Sequence, residues 1–221
     1  QEWSVESHLK LMDDIGISKS ILSITSPGTH LVPGNDTMAR DLARNCNIFA
    51  SNLKKVHPTR FGFWASLPLP DIQGSLAEIP VALDDLNADG FVLQTNHQGV
   101  YLGDRAFEPI FALLNERKAT VFIHPAGPCI AATAGSPCVP STPLAKYASP
   151  MLEFYFDTAR CVSDLLISGT VFRHPQITFI ISHCGGVLPP LIERVATIST
   201  AWLGQPLSTE TVRELFKKQF F

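Results

Sequence analysis

With 221 residues, 45 % of them apolar, and a mean hydropathy of +0.15, the chain can bury one sizeable core, and its apolar excess points to cover by further chain or a partner. A formal charge of −3 and 17 scattered Lys and Arg exclude the basic stripe of a nucleic-acid or anionic-membrane binder, and no apolar run approaches the roughly 18 residues of a membrane span. Five Cys with neither a pairing framework nor CxxC spacing favour a reducing, cytoplasmic setting.

Along the chain, strand patterns alternate with amphipathic helical ones, the signature of βαβ units and a parallel sheet in an α/β fold. Residues 5–14 predict a helix, 19–25 (KSILSIT) a strand, 36–57 a helix with Asp36 as N-cap, and 60–68 (RFGFWASLP) a strand. A helix follows over 72–86 despite Pro80, then a strand at 89–95, a helix over 104–118 that contains Pro109, and a strand at 120–124. Residues 125–149 are too rich in Pro, Gly and Ala to hold a long helix, and a loop of this length reads as an active-site lid. Beyond it come a long helix over 151–174, a strand at 176–182 and helices over 186–200 and 208–220, all within a single domain. Five strands are too few to close an eight-stranded barrel.

Parallel α/β barrels gather their chemistry at the carboxyl ends of the strands. Here those ends read Ser66-Leu67-Pro68, Thr95-Asn96-His97, His124-Pro125 and Ser182-His183-Cys184. A single His beside an apolar strand is more often structural than a ligand, but two at equivalent ends of successive strands reverse that expectation. Imidazole there can bind a divalent ion or move a proton near neutral pH. His57 and His174 precede Pro at helix ends and read as structural partners of the helix dipole, while His8 and His30 have no context. Glu153, Asp157 and Arg160, at i, i+4 and i+7, read as an intrahelical ion-pair ladder. Cys184 lacks a separate base, and GxSxG, GxxxxGKS and GxGxxG do not occur.

Three runs, LQTNHQGVYLGDRAFEPIFALLNERKATVFIHPAGP, SPMLEFYFDTARCVSDLLISGTVFRHP and FIISHCGGVLPPLIERV, resemble the amidohydrolase-related decarboxylases of the aminocarboxymuconate semialdehyde decarboxylase type. SPGTH and FGFWASLPLPD extend the likeness over almost the whole chain. The resemblance implies a (β/α)8 TIM-type barrel with one divalent metal, usually zinc and in some relatives manganese. The implied reaction is nonoxidative loss of CO2 from a small aromatic carboxylic acid of the hydroxybenzoate type, such as 6-methylsalicylate. His124, in FIHP, matches the family's fifth-strand metal ligand, and His183, in SHCGG, its sixth-strand acid/base. Arg194, in PLIERV, matches an Arg that meets the substrate carboxylate, in some relatives from a neighbouring subunit. Asn96 joins it as a substrate-binding candidate, and the family analogy favours a homodimer.

The same pattern requires a His-x-His or Glu-x-His on the first strand and an Asp on the eighth. No strand pattern in this chain carries either, so the expectation is an incomplete barrel, about strands 2 to 6, cut at both ends. Two other functions fit such a barrel: metal-assisted hydrolysis of a lactone or amide, and a noncatalytic remnant that acts in binding or dimerisation.

Overall fold

The computed structural model describes residues 3–128, 146–203 and 208–221; most of the expected lid at 125–149 lies outside the described residues. In chain order the elements are α1 (Val5–Ile15), β1 (Ser20–Leu22), α2 (Asp36–Val56), β2 (Phe61–Ser66), α3 (Ile72–Pro80) and β3 (Gly90–Gln94). A short hairpin of β4 (Asn96–His97) and β5 (Val100–Tyr101) precedes α4 (Glu108–Glu116) and β6 (Thr120–His124). Then come α5 (Glu153–Ile167), α6 (Thr170–Arg173), β7 (Thr178–Ile181), α7 (Ile192–Leu203) and α8 (Thr209–Gln219). No helix among the described residues is long and apolar enough to cross a membrane.

The five expected strands form one parallel sheet in the order β1-β2-β3-β6-β7. Phe220 bridges Phe179 in parallel, and Phe221 both donates to the Phe179 carbonyl and accepts from the Ile181 amide, each at 2.8 Å. The end of α8 thus runs alongside β7, where a sixth parallel strand would stand. Alternate residues of the strands, Phe63, Ala65, Phe91, Leu93, Val121, Ile123 and Phe179, are buried in one core with Ile110, Phe111, Leu114, Val162 and Leu165 of the helices. Each such side chain contributes about 1.5–3 kcal/mol by leaving water. The opposite face is less covered: Thr120, Phe122 and His124 of β6, and Thr178 and Ile180 of β7, are only half-buried. The sheet is therefore packed by helices on one face and partly open on the other.

Where the structure departs from the sequence reading, the cause is local. Pro80 lacks an N–H and crowds the preceding turn, so the helix expected over 72–86 widens after Pro80 into a π-helical turn at Val81–Asp85. The expected helix over 151–174 divides at Ser168–Gly169, where Gly169 adopts φ 77°, a left-handed conformation that glycine enters without steric cost. The single Glu-x-His of the chain, Glu6-Ser7-His8, lies within α1, where the His8 ring bonds Trp3 Nε1 and Ser20 Oγ. His174 has the expected structural role, with Nε2 2.9 Å from Glu108 Oε1, which Arg173 also holds.

The ion-pair ladder expected on α5 is not what forms. Asp157 is fully buried and its carboxylate accepts from Thr95 Oγ1, from Asn96 Nδ2 at 3.1 Å and from Tyr101 Oη at 2.5 Å, with Arg160 Nη1 farther away at 3.6 Å. Periodicity alone could not reveal this, because the partners are 56 to 62 residues away in sequence. The carboxylate pins α5 to the end of β3 and to the β4–β5 hairpin. Burial, reinforced by the bond to Asp157, raises the Tyr101 phenol above its ordinary pKa and keeps it a donor. A second buried amide, Asn47, locks the end of β2 to α2 and α3: it donates to the Ser66 carbonyl and Glu78 Oε1 and accepts from the Ser66 amide.

Replacing Asp157 with Ala leaves three donors without their acceptor in a dry site. The expected loss is about 3 kcal/mol or more, read as a lower urea midpoint at unchanged m-value; a variant within about 0.5 kcal/mol of the parent would contradict the pinning role.

Candidate active site

β6 and β7 are neighbours, and each ends in an imidazole. His124 closes β6, and His183 stands two residues beyond β7. Phe154, at the start of α5, lies against both: ring centroids are 5.9 Å apart for Phe154–His124 and 6.5 Å for Phe154–His183. Tyr155 packs on His183 at 5.2 Å. The structure therefore gathers His124, His183 and two of the aromatic residues expected as walls. The third, Tyr147, is exposed, with the Lys146 ammonium 5.0 Å from its ring centroid.

His124 is oriented by its own backbone. Its Nδ1 is 2.7 Å from the Pro125 carbonyl and its Nε2 is 3.2 Å from Thr25 Oγ1. A carbonyl can only accept, so the Nδ1 carries the proton and the Nε2 lone pair faces the mouth of the sheet. Metal-bound imidazoles are held in the same way, with one nitrogen tied to an acceptor and the other free to coordinate. Burial lowers the His124 pKa; the Pro125 carbonyl opposes this, and the nearby His183 adds to the lowering. The neutral, ligand-competent ring is the favoured form.

His183 is exposed and sits in a strained loop. His183 and Cys184 have φ of 54° and 51°, followed by Gly185 and Gly186 at 81° and 59°. Two consecutive left-handed non-glycine residues cost about 1 kcal/mol or more each, which suits a site where position outweighs local comfort. Gly186 has a second reason to be glycine: a Cβ there would stand 2.7 Å from the Tyr155 carbonyl oxygen. The close approach of this loop to α5 brings the His183 ring onto Tyr155.

Asn96 and Arg194 are placed differently. Asn96 is buried at the hairpin, donates to Asp157 and the Gly127 carbonyl and accepts from the Gly99 amide, so its amide is engaged by the protein. Arg194 is exposed on α7 and makes no ion pair among the described residues.

A cavity of about 190 Å³ opens at the carboxyl ends of β1, β2 and β3, lined among others by Ser26, His30, Ser66, Gln94, Asn96 and His97. It adjoins His124 through Thr25, the neighbour of Ser26. His30 Nδ1 is 3.0 Å from Gln98 Nε2, and its Nε2 is 3.0 Å from Asp36 Oδ1. Since the amide nitrogen only donates, His30 accepts on Nδ1 and donates from Nε2. Burial pushes His97 down to about 4, against a hydrogen bond from the ring to the Leu69 backbone that works the other way. Sequence pattern marks neither His30 nor Gln94, sets Asp157 in an ion-pair ladder, and marks His97 only by its place in a polar strand end.

Among the described residues no group of three or more His, Cys, Asp or Glu stands close enough to hold a metal ion. A catalytic zinc needs about three protein donors. His124 has the tautomer of a ligand, but the described residues do not complete the metal site that the resemblance implies.

The amidohydrolase family model matches residues 34–208. The chain is 42 % identical over 200 residues to decarboxylase yanB of Aspergillus niger, covering 88 % of this chain and 53 % of that protein. It is 37 % identical over 227 residues to a 6-methylsalicylic acid decarboxylase of Penicillium expansum, covering 99 % and 66 % respectively. The chain thus spans about half to two thirds of the length of these relatives. Its fold superposes with a TM-score of 0.80 at 23 % identity on a dihydroxybenzoic acid decarboxylase of Polaromonas sp., solved with manganese and 2-nitroresorcinol, covering 99 % of this chain and 67 % of that one. The parallel α/β sheet, its strand-end histidines and the match over most of the length agree: this chain belongs to the amidohydrolase family.

Proposed function

We propose that the chain forms the central part of a (β/α)8-barrel decarboxylase, about strands 2 to 6, acting on a small aromatic carboxylic acid of the hydroxybenzoate type such as 6-methylsalicylate. The observation that carries this reading is the pair of imidazoles at the ends of adjacent parallel strands, both against Phe154. Relatives named as decarboxylases, at 37–42 % identity, support the reaction class.

Loss of CO2 from an aromatic ring leaves a high-energy aryl carbanion unless the carboxyl-bearing carbon is protonated first. His183 is the group proposed to deliver that proton: it is exposed, and its place is fixed by the left-handed loop and Tyr155. Phe154 and Tyr155 would wall the substrate ring and keep water from the reacting carbon. His124 is the donor that the described residues offer to a divalent metal, zinc or manganese, whose chemistry in such a site is to template and polarise the substrate oxygens. Arg194, exposed and without an ion pair among the described residues, is proposed to meet the substrate carboxylate across a homodimer interface, a charge-assisted contact worth about 1.5–3 kcal/mol. Asn96 serves the substrate by shaping the cavity wall, since its amide is engaged. A cytoplasmic location accords with the free thiols of Cys46, Cys161 and Cys184.

The test is release of labelled CO2 from carboxyl-labelled 6-methylsalicylate. His183→Ala should lower the rate about 100-fold or more; an unchanged rate would remove His183 from the reaction, and turnover without CO2 would favour a hydrolase. A second measurement concerns the tautomer and charge of His124. Because its pKa is lowered, it takes up its proton only below the ordinary 6.5, so an NMR titration of its ring should give a midpoint under that value. The contribution of the neutral ring is then present above pH 6.5 and lost as pH falls through the lowered pKa. A midpoint above 6.5 would contradict the burial argument.

A further inference from the structure

The segment after β1 is fastened over the open ends of the strands, and its two ends are held unequally. β1 and β6 are separated by β2 and β3, a spacing of about 14 Å in a flat sheet. Yet Thr25 Oγ1 is 3.2 Å from His124 Nε2. Curling of the sheet and the path of residues 25–30 together close that gap. The Gly28 amide donates to the Thr25 carbonyl at 3.0 Å and turns the chain. Gly28 then lies against Gln94, the register partner of His124; a Cβ at Gly28 would stand 3.5 Å from Gln94 Cγ. Thr29 donates to the Leu67 carbonyl just beyond β2, and His30 bonds Gln98 of the hairpin and Asp36 at the start of α2.

Thr29 is 3 % exposed and the His30 side chain 5 %, and together they make three side-chain bonds. Thr25 is exposed, and its hydroxyl has one bond among the described residues, to His124. A single neutral hydrogen bond within reach of water is a weak anchor, because water replaces it at little cost. The segment therefore has a fixed end at His30 and a releasable end at Thr25. The ring sets the direction of the releasable bond: His124 Nδ1 donates to the Pro125 carbonyl, so Nε2 accepts and the Thr25 hydroxyl donates. While that bond stands, the imidazole is held at both nitrogens and its lone pair is taken.

We propose that Thr25 is a positioning residue for His124: a latch at the loose end of residues 25–30 that orients the imidazole and closes its Nε2 lone pair until a group of the incoming ligand takes its place. The inference rests on the aromatic-acid reading, in which His124 faces the ligand, and adds to it the residue that must let go first. Release needs movement of Thr25 alone, since Thr29 and His30 keep the rest of the segment seated on Leu67, Gln98 and Asp36. The hydroxyl carries the effect, not the bulk of the side chain. Val keeps the shape and loses the bond, whereas Ser keeps the bond.

Diethyl pyrocarbonate acylates an imidazole nitrogen through its free lone pair, so it reads the latch directly on the full chain. Each histidine is followed by mass spectrometry of its peptide at about pH 8, where an ordinary imidazole is neutral. Thr25→Val and Thr25→Ala should each speed acylation of His124 about fivefold, the factor that one net hydrogen bond supplies, and leave His183 unchanged. Two such variants guard against one failing to fold. Thr25→Ser should stay within about twofold of the parent, a rescue that lost packing alone would not give. A His124 rate within about twofold of the parent in both the Val and Ala variants, a Ser variant as fast as they are, or equal acceleration at His183 would each overturn the latch. Added 6-methylsalicylate separates the latch from the reading beneath it. Protection of His124 in the parent supports both, whereas the Thr25 effect without protection by the acid leaves the latch standing and overturns the aromatic-acid reading.

Discussion

The buried carboxylate of Asp157 is the constraint on which the geometry of the site depends. It draws together Thr95 at the end of β3, Asn96 and Tyr101 of the hairpin, and α5 on the far side of the loop after β6. Thr95 extends the link: its hydroxyl accepts from the Ala126 amide and its own amide donates to the His124 carbonyl. The backbone on both sides of Pro125, directly after His124, is thus tied to the carboxylate buried in α5. The same helix carries Phe154 and Tyr155, three and two residues before Asp157, so fixing Asp157 also fixes the aromatic residues that touch the imidazoles. A charge removed from water is tolerated only when its donors are as good as water's, and three donors meet that condition here.

The two imidazoles are held by different means, in keeping with the different tasks proposed for them. His124 is fixed through its own hydrogen bonds, with the Pro125 carbonyl selecting the tautomer. His183 has no such bond among those described and is positioned by backbone conformation, a run of left-handed residues closed by Gly186 under Tyr155. A ligand needs a fixed lone pair, whereas a proton carrier needs access and freedom to change charge. The half-buried ring of the one and the exposed ring of the other follow that division.

The sheet and the two principal histidines were legible in the sequence because both depend on short-range pattern. Apolar β-branched and aromatic runs such as RFGFW and TFII mark buried parallel strands, and an imidazole at the end of such a run is conspicuous. What the sequence could not reveal depends on partners far along the chain. Asp157 looked like a surface residue because its helical spacing to Glu153 and Arg160 is also that of an ion-pair ladder, and only its contacts with Thr95 and Tyr101 set it inside. The β4–β5 hairpin was missed because strands of two residues carry no periodicity. Gln94 belongs to no motif and His97 is marked only by its strand end; that each buries a polar atom without a partner depends on the tertiary fold.

Backbone acceptors select the tautomer of two rings that face the open ends of the strands. Pro125 takes the Nδ1 proton of His124, and the Leu69 backbone takes that of His97, so each ring turns an Nε2 lone pair away from its own main chain. The lone pair of His124 meets a hydroxyl, Thr25, that a stronger ligand-seeking group can displace. That of His97 is buried and meets no hydrogen-bond partner among the described residues. The difference between the two rings is set by what surrounds the nitrogen: a hydroxyl, with a second imidazole nearby, for His124, and burial without a partner for His97.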